Sequence, residues 1–102
     1  MGQHLPPSLR AVGIAWFRKD DWPALIAIFE DGDVFDSFEQ WLTRAEELEC
    51  QFRRDGYIVV RAFIDPDTFP QWCAQAGFGV NREGRGEYAA EVAEQKYGRN
   101  QS

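Results

Sequence analysis

From Ala11 to Phe17 the chain is apolar at every position, AVGIAWF, and Arg18, Lys19, Asp20 and Asp21 close the run. A short unbroken apolar run bounded by charge predicts a buried strand. Asp20-Asp21-Trp22-Pro23 then predicts a helix start, with an aspartate cap and a proline in the first turn, where its missing N–H does no harm. That helix is expected to run to Phe29. A rival pattern overlaps it: Ile26 to Phe35, IAIFEDGDVF, sets an Asp-Gly pair between apolar runs, which is a hairpin signal. The cap and the proline favour the helix.

Phe38, Trp41, Leu42, Ala45, Leu48 and Phe52 recur at spacings of three and four, which predicts a helix over 37–55 with Gly56 ending it. Cys50 lies off that stripe and is expected to be partly exposed. Tyr57 to Ile64 is β-branched and aromatic, a second strand. Its residues Ile58, Val60, Ala62 and Ile64 form one apolar face, and Arg61 interrupts the other. A third helix is expected from Thr68 to just before Gly77, then a glycine-bearing loop over 77–82. The last helix, over 83–97, carries Tyr88, Ala89, Val92, Ala93 and Tyr97 on one side, and Gly84 and Gly86 weaken its start.

Two of these starts are spelled almost identically, Asp36-Ser37-Phe38-Glu39-Gln40-Trp41 and Asp67-Thr68-Phe69-Pro70-Gln71-Trp72. Each sets a Ser or Thr cap three residues before a Gln, the pattern of a reciprocal capping box. Beyond Trp41 and Trp72 the sequences diverge, so these are two helix starts and not a repeat. The resulting order, β-α-α-β-α-α, predicts a small α+β domain over 11–97, with a two- or three-stranded sheet packed by about four helices. Residues 1–10 read as a flexible arm and 98–102 as a flexible tail. Two strands alone are marginal in water, so a third strand, helices on both faces, or continuation of the sheet across a dimer is expected.

Composition narrows the function more than it defines it. The 102 residues suit one domain, and four Trp, eight Phe and three Tyr supply a core. A net charge of −6 argues against nucleic acid or an anionic membrane as partner. Cys50 and Cys73 fit neither a disulfide framework nor a zinc pattern, and the start of the chain has no secretory h-region. A cytoplasmic location is the expectation, with no cofactor and no metal.

The run Ile14-Ala15-Trp16-Phe17, then Asp21-Trp22, Asp36 to Leu42, Asp65-Pro66-Asp67, Trp72-Cys73 and Glu87-Tyr88 with Ala90-Glu91 resembles a group of small bacterial proteins of unknown function. The likeness spans most of residues 12–96, departs at Pro70 and in the glycine-rich 77–86 segment, and implies a bacterial, cytosolic protein. It carries no catalytic residues to transfer.

Candidate chemistry is sparse. The single histidine, His4, lies in the arm without an orienting partner, so catalytic triads and histidine metal sites fall away. The acidic residues Glu30, Asp31, Asp33, Asp36 and Glu39 do not keep calcium-loop spacing, because Leu42 stands where the last ligand belongs, and they read as a solvated loop. GFGVNREGRG, over 77–86, lacks a phosphate-loop fingerprint, and Arg82 and Arg85 read as part of a polar connection. Cys73 has no evident base and reads as a buried thiol.

One geometric expectation remains. Were the strands parallel, their C-terminal ends would share an edge, with Arg18, Asp21, Asp65 and Asp67 beside helix N-termini as a candidate ligand site. The competing explanation is that the aspartates cap helices. The leading expectation is therefore a non-enzymatic protein-interaction module, acting as a homodimer or an adaptor. The alternative is a small-molecule or anion-binding protein, or an enzyme, using the Arg18/Asp21/Asp65 edge.

Overall fold

The computed structural model describes residues 10–97. Its elements are β1 (Ala11–Trp16), α1 (Trp22–Ile28), α2 (Phe38–Arg54), β2 (Ile58–Phe63), α3 (Phe69–Ala76) and α4 (Arg82–Tyr97), in the β-α-α-β-α-α order that the apolar pattern predicts. Most of the expected arm, with His4, and the whole tail lie outside the described residues. Arg10, the last residue assigned to the arm, is tied into the sheet, its carbonyl accepting from the Ile58 N–H at 2.8 Å.

The two strands pair in parallel, Ala11 opposite Ile58 and Trp16 opposite Phe63, with α1 and α2 forming the crossover between them. Within the described residues no third strand forms, and helices cover both faces. α4 lies on the face of Gly13, Ala15, Val60 and Ala62, where small side chains let it come close. α2 lies on the other face, where Ile14 and Trp16 pack with Ala45, Leu42 and Phe52. A second apolar cluster of Phe17, Leu25, Phe29, Ile64, Phe69 and Cys73 joins α1, α3 and the strand ends. Trp16 is buried, while Trp22, Trp41 and Trp72 are half-buried against these clusters.

The helix starts differ from their spelling. Ser37 caps α2 as expected, its hydroxyl accepting from the Gln40 N–H at 3.1 Å, but the return bond from the Gln40 side chain is not made. Thr68 makes no side-chain cap bond at all, because its backbone is helical (φ −112°, ψ −22°) and not extended as a cap requires. The turn at Asp65 replaces it: the Asp65 carbonyl accepts from the N–H groups of Thr68 and Phe69. Asp21 likewise makes no side-chain cap bond to α1, since a 3-10 turn over Lys19–Asp21 runs straight into the helix.

The hairpin does not form. Gly32 is not among the described glycines with positive φ, which a two-residue Asp-Gly hairpin turn requires. The segment turns as Gly32–Val34 instead, and Gly32 is buried so close to α1 that a Cβ there would stand 2.4 Å from the Ile26 carbonyl oxygen. At the other end of α2, Gly56 (φ 93°) allows the Tyr57 N–H to reach the Phe52 carbonyl and its own N–H to reach Arg53, a Schellman stop.

Candidate functional site

Parallel pairing brings the C-terminal strand ends to one edge, as the first site expectation requires. There the Arg18 guanidinium lies 4.3 Å from the Phe63 ring centroid. The Asp65 carboxylate accepts from the Asp67 N–H at 2.9 Å, shaping the turn into α3. Asp21 gives its N–H to the Arg18 carbonyl at 3.0 Å. Among the described residues Arg18 forms no ion pair with Asp21, Asp65 or Asp67. The cation is laid on an aromatic face and one carboxylate is engaged in a turn.

A more developed site lies along the outer edge of β1. In a parallel ladder alternate residues spend both backbone groups on the neighbouring strand. Arg10 and Trp16 accept from Ile58 and Ile64, so Arg10, Val12, Ile14 and Trp16 face β2. The N–H and C=O groups of Ala11, Gly13 and Ala15 therefore point away from β2, and none has a hydrogen-bond partner among the described residues. Those of Gly13 and Ala15 lie at the floor of a slot of about 650 Å³, and Ala11 continues the same strand edge. One wall is α2, through Trp41, Leu48 and Phe52, and the other is α4, through Gly86 and Ala89. Exposed Leu48 and Val34 extend this apolar surface to its rim.

The far end of the slot is polar and firmly built. Asp31 holds Arg85 through two hydrogen bonds of 2.8 and 2.9 Å and also accepts from the Arg82 N–H. Arg85 is buried, its guanidinium 4.5 Å from the Phe29 ring centroid. Glu30 accepts from Asn81 and from the Val80 N–H. Two members of the acidic cluster thus clamp the 30–31 segment to the 80–85 segment, where the sequence suggested a solvated loop and an independent connection. The Arg85 bond holds the Asp31 carboxyl below its ordinary range. From here the slot opens onto a shallow hollow beside Arg82, Glu83 and Glu87. The Arg82 guanidinium makes no ion pair among the described residues.

On the α2 face, buried Glu49 accepts two 2.8 Å bonds from Arg61, whose guanidinium stacks 4.0 Å from the Trp16 ring centroid. Those bonds depress the Glu49 carboxyl and raise Arg61. The signal for this pair was a lone charge on each of two apolar faces, Glu49 between Ala45 and Phe52 and Arg61 in β2. The slot left no comparable signal, because its floor is backbone. Among the described residues no group of three or more His, Cys, Asp or Glu side chains is placed to hold a metal ion. No helix there is long and apolar enough to cross a membrane.

Comparison of the chain with family models, with curated proteins and with solved structures gives no match.

Proposed function

We propose that the protein is a non-enzymatic interaction module whose working surface is the slot along β1. The observation that carries this reading is the row of unspent backbone groups on Ala11, Gly13 and Ala15, the last two at the floor of an apolar slot. Edge strands left open are normally blunted by lysine, proline or a bulge. AVGIAW has no charge, no proline and an unbroken register. An unguarded edge between apolar walls is the arrangement used for strand addition.

The environment of Cys73 fits a non-catalytic role for that thiol. Cys73 is fully buried, and burial pushes its thiol up, away from the reactive thiolate. The alternative, an anion or small-molecule site at the strand-end edge, depends on Arg18, whose guanidinium already lies on Phe63.

Gly86 supplies the test. It is exposed in the slot wall, and a Cβ there would meet nothing within 4 Å, so Gly86→Trp obstructs the slot without touching the core. Full-length tagged protein and this variant are recovered from the source cell, and the retained polypeptides are compared by quantitative mass spectrometry. The wild type is expected to hold a polypeptide that Gly86→Trp loses. Identical retention by both would remove the slot from the function.

A further inference from the structure

We propose that the slot along β1 takes one extended segment of a different polypeptide as a third strand, and that it excludes a second copy of this chain. The inference rests on the interaction-module reading above and adds the chemistry of the partner.

Self-pairing is the obvious way to complete a two-stranded sheet, and the position of α4 opposes it. Gly13 has no side chain, and the α4 backbone occupies that space: a Cβ on residue 13 would stand 2.0 Å from the Ala89 carbonyl oxygen. α4 also packs more extensively on β1 than on β2. A strand added to β1 runs about 5 Å away. If that strand were the β1 of a second copy, paired antiparallel across a two-fold axis, it would carry its own α4 on the same face of the joined sheet. With α4 nearer β1 than β2, the two α4 axes would lie between one and two strand spacings apart, about 5–10 Å, where packed helices need about 8–10 Å. Parallel self-pairing gives no closed dimer either. A parallel ladder offsets the bonding residues of its two strands, and a two-fold axis cannot offset identical strands.

A bare extended segment meets neither obstacle. It enters beneath α4 and beside α2, with backbone groups that satisfy those of Ala11, Gly13 and Ala15. The pleat then specifies its side chains. Residues directly opposite Ala11, Gly13 and Ala15 point toward α4, which lies close, and must be small. The alternate residues point toward Leu48 and Phe52 on α2 and are large and apolar. Arg82, at the polar end of the slot and free of ion pairs among the described residues, suits a carboxylate at that end of the segment. The partner is thus an extended segment alternating large apolar with small residues, with an acidic residue at one end.

The test selects a display library of random linear peptides on the full-length chain. Enriched peptides are expected to alternate large apolar with small residues. Their binding should slow hydrogen exchange at the amides of Ala11, Gly13 and Ala15, and should weaken at least about tenfold in Gly86→Trp. Ala11→Pro serves as a second variant. It removes one outward N–H at the first residue of the strand, where proline is tolerated, and should also weaken binding. Four outcomes would overturn the proposal. One is a purified dimer in which the three amides are protected, which makes a second copy the occupant. Another is slow exchange of those amides in the free monomer, which means the chain fills its own slot. The others are no enrichment, and peptides that lack the alternation or ignore both variants. The retention experiment reads separately whether the slot has any polypeptide partner, so the module can survive a wrong partner chemistry.

Discussion

Gly13 on β1 lies directly beneath Ala89 on α4, so close that a Cβ on residue 13 would stand 2.0 Å from the Ala89 carbonyl oxygen. Backbone, not a flexible side-chain end, fills that space, and neither partner can turn aside. Gly13→Ala is expected to destabilise the domain by at least about 1–3 kcal/mol, as overpacking a core does. Gly86, one turn earlier on α4, is the control, since it has open space where a Cβ would go. Gly86→Ala should stabilise by about 0.8–1 kcal/mol through helix propensity. Urea unfolding of the two variants should therefore shift in opposite directions; a neutral Gly13→Ala would mean that α4 rides higher on the sheet.

Ser37 and Thr68 stand at equivalent places in nearly identical sequences but hold different roles. Only Ser37 bonds the N–H of its helix, so Ser37→Ala should cost about 1 kcal/mol and Thr68→Ala only a fraction of that. Thermal melts of the two alanine variants decide it, and equal losses would restore the second capping box.

Arg61 is the main partner of buried Glu49, with Arg53 3.4 Å away as a weaker one. Arg61→Met should destabilise by up to about 3–5 kcal/mol at neutral pH, because it leaves a buried carboxylate underpaired. Glu49→Gln should cost less, since the Arg61 side chain is 41% exposed and its charge can turn to water. The sign with pH follows. Glu49 and Asp31 are held below the ordinary carboxylate range by their arginines, so both contribute stability above that range and lose it as pH falls through their folded values. Wild-type stability should decline below about pH 4. The deficit of Arg61→Met should be largest at neutral pH and shrink on acidification, as Glu49 takes up a proton. A deficit that grows in acid would contradict this pairing.

Cys50 is exposed and Cys73 buried, with its thiol pushed up mainly by burial. A thiol reagent applied to the native protein should label Cys50 first, and Cys73 only as the domain opens. Peptide mapping after brief labelling reads the order. Faster reaction at Cys73 would place it in an accessible, activated environment.

The elements were legible because each is written locally. The three- and four-residue recurrence from Phe38 to Phe52, the β-branched run after Gly56 and the glycine stops at 56 and 77 depend on neighbours in the chain, and α2, β2 and α3 fall where these signals put them. Exposure of Cys50 followed from the same periodicity. The aspartate caps did not, because a cap needs backbone angles as well as a side chain. The turns at Lys19–Asp21 and Asp65 set angles at Asp21 and Thr68 that their residue types do not reveal.

Apolar periodicity and chain order were enough to place most helices and both strands, but they left open whether a third strand, helices on both faces or a second copy completes the sheet. Folding in three dimensions settles that helices cover both faces, that the strands run parallel, that Asp31 meets Arg85 and Glu49 meets Arg61, and that an open edge lies between α2 and α4. Those pairs are separated by up to 54 residues, and nothing in local spacing encodes their meeting. The slot is harder still to read from sequence: its floor is backbone, which every residue shares, and its entrance depends on a glycine whose missing side chain admits a helix.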